Sequence, residues 1–337
     1  MIDAKRSKDL IFIVGMHRSG TSCLTGCLED LGVYNEADMA HVNKASSNPK
    51  GNRESPDVHL FNEVVLKRNG YKWSNIPNKA IPWIASDYKI AEFVLENMIN
   101  QAKPSMAVVK DPRIALMPYQ WLSIAPNAAC IISLRHPMTV AKSLLKRSNL
   151  PIEEGLKLWA DYNREVLPLA QEYNIPVLSY DLPPEQYIQR FRQIAAALGL
   201  DAHKQIKFYD ANFNTVGGKK AEDTESLPDS VKQLYKALLV QSEKQDFSLR
   251  VHVREQVAPA EGENMKMVEM INSLEKGLYP SGKFWVNFGH VLLKTGRPVS
   301  AFQAFKKALK MGKINMSFIA GFLKSIYYTL ILRKKEN

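Results

Sequence analysis

The sequence predicts an α/β fold: a parallel sheet flanked by helices, followed by a small α-helical C-terminal extension. Three observations predict it. Short aliphatic runs at 10–14, 106–110, 129–134 and 176–180 read as strands buried on both faces, and most lead into segments of helical periodicity. The first run passes through a glycine turn straight into a helix, the strand-turn-helix alternation of a parallel sheet. Beyond residues 256–264 (QVAPAEGEN), a linker by composition, the chain becomes basic and helical. The 337 residues suit one large domain with a smaller appendage. The expected boundaries are a body over 1–250, a linker over 251–270, a helical hairpin over 271–312 and a basic amphipathic helix over 313–337.

Local signals place the elements in order. Residues 21–31 form a helix ended by Gly32, residues 139–146 a helix opened by Pro137, and residues 191–198 a helix closed by Gly199. Residues 211–230, polar and turn-rich, read as a surface loop.

Apolar residues at 45% and charged residues at 23% exclude a disordered or collagen-like chain. The net charge of +11 is confined to residues 276–337, which hold twelve basic residues and one acidic; the preceding residues are neutral in sum. A nucleic-acid binder would spread that charge over the folded body, so no nucleic-acid partner is expected. Cys23, Cys27 and Cys130 cannot pair completely and have no zinc-spaced neighbours, so thiols in a reducing compartment are expected. With too short an apolar run near the N-terminus for a signal peptide and no 18-residue apolar stretch, the chain reads as cytoplasmic.

The glycine turn Gly15-Met16-His17-Arg18-Ser19-Gly20-Thr21-Ser22 has phosphate-loop character. Two glycines five apart let backbone N–H groups converge on an anion, and the opening helix adds its positive end. The version that binds nucleoside triphosphates needs Lys after the second glycine. Thr21 stands there instead, and the cation, Arg18, sits at the crown of the loop, which suits a single phosphate with a charged group beyond it. A second cationic motif ends the strand at 129–134. Arg135 follows it, and Ser143, eight residues on and about two helical turns in, can converge with it on another anion. Two such sites a nucleoside apart suit a 3′,5′-bisphosphorylated adenosine.

IFIVGMHRSGTSCL, NPKGNRE, VVKDPRIALMPYQW, LRHPMTVAKSL and GLKLWADYNREVL, in this order, resemble the sulfotransferases that use 3′-phosphoadenosine-5′-phosphosulfate (PAPS). The resemblance covers about residues 8–245 and implies a P-loop-like fold. It also implies that Gly15, His17, Arg18, Ser19, Gly20, Thr21 and Ser22 hold the 5′-phosphosulfate and Arg135 with Ser143 the 3′-phosphate. The chain departs from the pattern at Asn52 and Arg53, where relatives commonly carry two aromatics, which bears on the acceptor pocket. The chemistry expected is transfer of a sulfuryl group from PAPS to a hydroxyl of a carbohydrate, glycolipid or other small compound, with no metal required. The sequence offers no compact carboxylate cluster beside the loop.

Glu54 is the expected base and Arg18 the stabiliser of the leaving group. Lys110, at the end of its strand, would support the sulfuryl oxygens. His59 is the rival base, His17 a donor toward the sulfuryl group, and Arg113 either a holder of an anionic acceptor or an ion-pair partner of Asp111. The competing readings are a phosphate-loop kinase of small molecules and a non-catalytic scaffold acting through its helical tail.

In that tail, Trp285, Phe288, Gly289 and Leu292, then Ala301, Phe305 and Ala308, are spaced like a tetratricopeptide helix pair, a resemblance covering roughly 282–312. Residues 318–332 (FIAGFLKSIYYTLIL) carry one charge and precede Arg333-Lys334-Lys335. They predict either a cap on the hairpin or a helix lying on an anionic surface, which would hold the protein peripherally at a membrane, or against a protein partner.

Overall fold

A computed structural model describes residues 2–36, 50–76, 80–210 and 223–253, together with helical positions 302, 305, 306, 308, 309 and 319–327. The chain divides into two compact units, one of Met1–Asp38 with Val42–Ala260 and one of Met39–His41 with Glu261–Asn337.

The first unit is a five-stranded parallel sheet covered by helices on both faces. Its elements run β1 (Leu10–Val14), α1 (Thr21–Asp30), β2 (Tyr34–Asn35), α2 (Pro56–Arg68), α3 (Ala85–Ala102), β3 (Ala107–Lys110), α4 (Pro118–Ile124) and β4 (Ala129–Leu134). They continue with α5 (Pro137–Ser148), α6 (Ile152–Asn163), α7 (Val166–Glu172), β5 (Val177–Ser179), α8 (Pro184–Ala197) and α9 (Asp229–Glu243). The spatial order of the strands is β2-β3-β1-β4-β5, all parallel. β1 is central, with Ile11 opposite both Val108 of β3 and Ala129 of β4.

Every residue of β1 is buried because the sheet has a core on each side. Leu10, Phe12 and Val14 join the larger core with Trp83, Trp121 and Trp159, while Ile11 and Ile13 face the smaller one with Leu24, Leu28 and Phe191. That is why these strands read as unbroken apolar runs rather than alternating ones.

The runs at 10–14 and 129–134 are strands over their whole length, and those at 106–110 and 176–180 are trimmed to Ala107–Lys110 and Val177–Ser179. The sequence reading missed β2. Two residues carry no periodicity, and the strand exists only through pairing with β3, beside which the Tyr34 amide donates to the Met106 carbonyl at 2.8 Å. It also started α8 too late, since the helix opens at Pro184 immediately after Pro183. The predicted loop over 211–230 needs a correction at its end. A 3-10 turn forms at Thr224–Ser226 and α9 begins at Asp229, directly after Pro228 and with an acid in its first turn. Residues 211–222 lie outside the described residues. The three cysteines are free thiols, Cys27 and Cys130 buried and Cys23 half-buried. Among the described residues no helix is long and apolar enough to cross a membrane.

Helices α5 and α6 pack closely where Gly155 lies against Ala141. A Cβ at Gly155 would sit 3.0 Å from both the Ala141 Cα and Cβ. Gly155→Val should therefore push α6 off α5 and lower unfolding free energy in urea by about 1–3 kcal/mol. An unchanged midpoint would mean that this contact has slack the distances do not show.

Candidate active site at the carboxyl edge of the sheet

Parallel pairing brings the carboxyl ends of β1, β3, β4 and β5 to one edge, and the chain order reverses about β1. Open sheets of this kind bind ligands at that point. Gly15–Ser22 leaves β1 there, Lys110 ends β3, Arg135 follows β4 and Tyr180 follows β5.

Two close approaches shape the loop. A side chain at Gly15 would put its Cβ 2.6 Å from the Ser133 carbonyl, and Gly20, at φ +89°, leaves room for the Tyr180 ring 2.5 Å from where a Cβ would lie. Arg18 itself is left-handed at φ 70°, an uncommon backbone for a residue with a Cβ. The Ser133 hydroxyl donates to the Ser19 carbonyl at 2.7 Å, tying the loop to β4. Gly20 precedes α1 without a side-chain cap, so the first turn presents its amides to whatever occupies the loop.

The two cationic motifs meet. Arg18 Nε donates to Ser143 Oγ at 2.8 Å, and Arg135 Nη1 donates to the Arg18 carbonyl at 3.1 Å. Arg135 lies 5.1 Å from the Tyr180 ring centroid and 3.8 Å from Asp181 Oδ1, and its buried Nε has no hydrogen-bond partner. Burial, then the charges of Arg135 and Arg147, lower the Arg18 pKa to about 10. The expected convergence of Arg135 and Ser143 thus runs through Arg18, which joins the loop to α5. Like charges so packed favour an anion among them.

On the other side of the loop lies a mixed cluster. Glu54 places Oε1 3.5 Å from Lys110 Nζ and Oε2 3.3 Å from His59 Nδ1. Lys110 Nζ also donates to the Asn52 carbonyl at 2.7 Å and reaches Ser22 Oγ at 3.5 Å. Asp111, wholly buried, accepts from Asn62 Nδ2 at 3.0 Å, the Arg113 amide at 2.9 Å and Arg113 Nη1 at 3.0 Å, and lies 3.0 Å from His59 Nδ1. Asn62 is fixed in turn by Trp121 Nε1 at 3.0 Å. Arg113 thus forms the ion pair with Asp111 and also pairs with Glu63.

These contacts decide the charge states. Burial acts to lower the His59 pKa, but its bonds to Asp111 and Glu54 outweigh that and raise it from 6.5 to about 9. Burial acts to raise Glu54, but Lys110 and His59 hold it well below the usual carboxylate range. At neutral pH His59 is a cation and Glu54 an anion. A protonated His59 donates and cannot accept, whereas an ionised Glu54 accepts. His17 differs: burial and the Arg113 charge lower it to about 3, so it stays neutral. Its ring lies 5.0 Å from Trp73 and 5.7 Å from Tyr162, with Nε2 buried and unpartnered.

The structure does assemble a compact acidic cluster, contrary to expectation. One ligand atom each from Glu54, His59 and Asp111 lie within 4.8 Å of one another. Sequence spacing hid it because the three come from the loop before α2, from α2 itself and from the end of β3. Lys110 and Arg113 stand against these same carboxylates and balance their charge.

At Asn52 and Arg53, Asn52 contributes its carbonyl to Ser22 Oγ, at 2.7 Å, and to Lys110. Arg53 pairs with Glu29 of α1 and stacks 4.2 Å from the Phe208 ring. Trp73, Tyr162, Tyr180 and Asp181 were not anticipated. Tyr180 alone was legible, as the last residue of a predicted strand at the same sheet edge.

His59 links the cluster to stability. Its folded-state pKa lies above 6.5, so the stabilisation it brings is complete below the unfolded value and is lost as pH rises through about 9. His59→Gln should melt below the parent protein near neutral pH, and the gap should close as pH passes about 9. A gap that stays constant across that range in thermal melts would count against a charged His59.

The sequence profile of the Sulfotransferase family matches residues 9–204, which span the loop, the Glu54 cluster, Arg135 and Ser143. Among solved structures, the sulfotransferase domain from the Synechococcus PCC 7002 olefin synthase aligns with a TM-score of 0.42 at 16% identity, over 68% of this chain and 94% of that chain. No curated protein sequence matches. The profile covers more than half of the chain, loop and arginines included, and by it the protein belongs to the sulfotransferase family.

Proposed function

We propose that the protein transfers a sulfuryl group from PAPS to a hydroxyl of a small acceptor, with a carbohydrate or glycolipid as the class that suits the site best. The observation that carries the reading is the meeting of the two cationic motifs, Arg18 Nε on Ser143 Oγ at 2.8 Å and Arg135 Nη1 on the Arg18 carbonyl at 3.1 Å, which gathers positive charge that a bisphosphorylated nucleotide would meet. The uncapped first turn of α1 and the unpartnered Arg135 Nε fit the same ligand. Gly15, His17, Arg18, Ser19, Gly20, Thr21 and Ser22 would hold its 5′ end, and Arg135 with Ser143 its 3′-phosphate.

PAPS, when bound, supplies an activated sulfuryl group and a phosphate leaving group that gains negative charge. Arg18 and the first-turn amides would stabilise that charge where it develops. Glu54 Oε1 and Oε2 would accept the acceptor's proton. Lys110 restrains Glu54 in the resting state. Turned toward an anionic donor, it would loosen that hold and let the carboxylate become more basic. His59, held by Asp111, would keep the second oxygen of Glu54 in place. Trp73, half-buried beside His17, offers an indole for a sugar ring to lie against.

One observation favours the rival phosphoryl-transfer reading, the Glu54, His59 and Asp111 set within 4.8 Å. Lys110 and Arg113 already balance that set, and Thr21 still stands where a triphosphate loop needs Lys.

Thermal shift separates the readings. 3′-Phosphoadenosine 5′-phosphate should raise the melting temperature far more than AMP, which lacks the phosphate that Arg135 and Ser143 would contact. Equal shifts, or a larger one with ATP and Mg²⁺, would reject the proposal. In turnover, Arg18→Ala should lose about 10²–10³. Glu54→Gln should lose about 10²–10⁴ while keeping the bisphosphate-induced shift. Near-normal turnover of Glu54→Gln would remove the base assignment, and indifference to both substitutions would favour a non-catalytic scaffold.

A further inference from the structure

In the second unit the tail helix is apolar on two faces, and its own unit covers only one of them. Along 319–327, Gly321 and Ser325 are buried, and the Phe322 ring stacks on Phe302 at 5.3 Å with an interplanar angle of 17°. Phe305 and Ala308, on the helical segment that carries Phe302, are completely buried. This contact packs the inner face of the tail helix against that segment. Trp285, Phe288, Gly289, Leu292 and Ala301, the rest of the tetratricopeptide-like pattern, lie outside the described residues.

Capping does not account for the outer face. Ile319 and Leu323, one turn apart, are 39% and 59% exposed, and Tyr327 continues the stripe at the same spacing. Leu309 is 41% exposed on the companion helix, and Lys306 and Lys324 lie exposed near these residues in sequence. The segment after residue 275 also holds all of the chain's net charge of +11, ending in Arg333-Lys334-Lys335.

We propose that this outer face docks on an anionic lipid surface, with Ile319 and Leu323 entering the boundary between headgroups and acyl chains and the surrounding lysines meeting lipid phosphates. The combination selects this occupant. A second copy of the chain would bring two strongly basic tails together, which charge repulsion opposes. A polyanion such as a nucleic acid would satisfy the lysines and leave the apolar stripe in water. An anionic bilayer takes both, since an interfacial helix gains from buried apolar area and from attraction to charged headgroups. Reversible attachment is the outcome, because a short stripe with a handful of lysines is far weaker than a spanning helix. The inference rests on the second unit alone and stands whether or not PAPS is the donor.

The test is co-sedimentation of the full-length protein with vesicles of phosphatidylcholine alone or mixed with phosphatidylglycerol. Binding is expected only to the mixed vesicles at low salt, and it should fall away near 1 M salt, where the Debye length shrinks to about 3 Å. Ile319→Ser with Leu323→Ser should weaken it about tenfold or more. Each neutralisation among Arg333, Lys334 and Lys335 should weaken it about fivefold on mixed vesicles. Both positions are solvent-facing, so circular dichroism and the melting temperature of the double variant should match the parent. Failure of the parent to sediment with mixed vesicles at low salt overturns the proposal, as does equal binding by a correctly folded double variant. Concentration-dependent dimerisation without vesicle binding, abolished by the same two substitutions, would assign the face to a second copy instead.

Discussion

A carboxylate buried as fully as that of Asp111 costs several kcal/mol unless its charge and lone pairs are met, and the acceptor side of the site is organised by meeting them. Asn62, the Arg113 amide and the Arg113 guanidinium donate to it, and His59 pairs with it. Each then does something else: Asn62 accepts from the core indole of Trp121, Arg113 adds to the burial that keeps His17 neutral, and His59 reaches Glu54. The cationic state of His59 depends on that buried charge, while Lys110 and then His59 hold Glu54 anionic against its own burial.

The opposite side of the loop gathers positive charge around Arg18. Lys110 stands beside Glu54 and Arg113 beside Asp111, while Arg18 bonds Ser143 and Arg135 lies 3.8 Å from Asp181 Oδ1. Gly15–Ser22 touches both groups: Ser22 bonds the Asn52 carbonyl that Lys110 also uses, and Arg18 bonds Ser143. A donor and an acceptor brought to the two sides would meet across this loop.

Much of this was legible in the chain. The strands at 10–14 and 129–134 are buried on both faces and therefore unbroken in apolar character, and the glycine turn between β1 and α1 needs no tertiary information to recognise. Arg18, Lys110, Arg135 and Ser143 could be picked because each lies at or just beyond a strand end or inside the first turns of a helix, positions fixed by local pattern. The two-residue β2, the start of α9 at Asp229 and the acidic cluster could not. A two-residue strand has no period, and Glu54, His59 and Asp111 meet only because α2 packs its Asn62 face against the end of β3.

By itself, then, the sequence determined the parallel sheet, the glycine loop after β1 and its cations, and the confinement of net charge to the tail, because these depend on residue type, spacing and chain direction. The tertiary structure alone decided which histidine is charged and which is neutral, that Arg18 rather than Arg135 bonds Ser143, and that the tail helix keeps an apolar face outward after packing its other face. Charge state and partner choice depend on burial and on neighbours far away in sequence, and those distances exist only once the chain has folded.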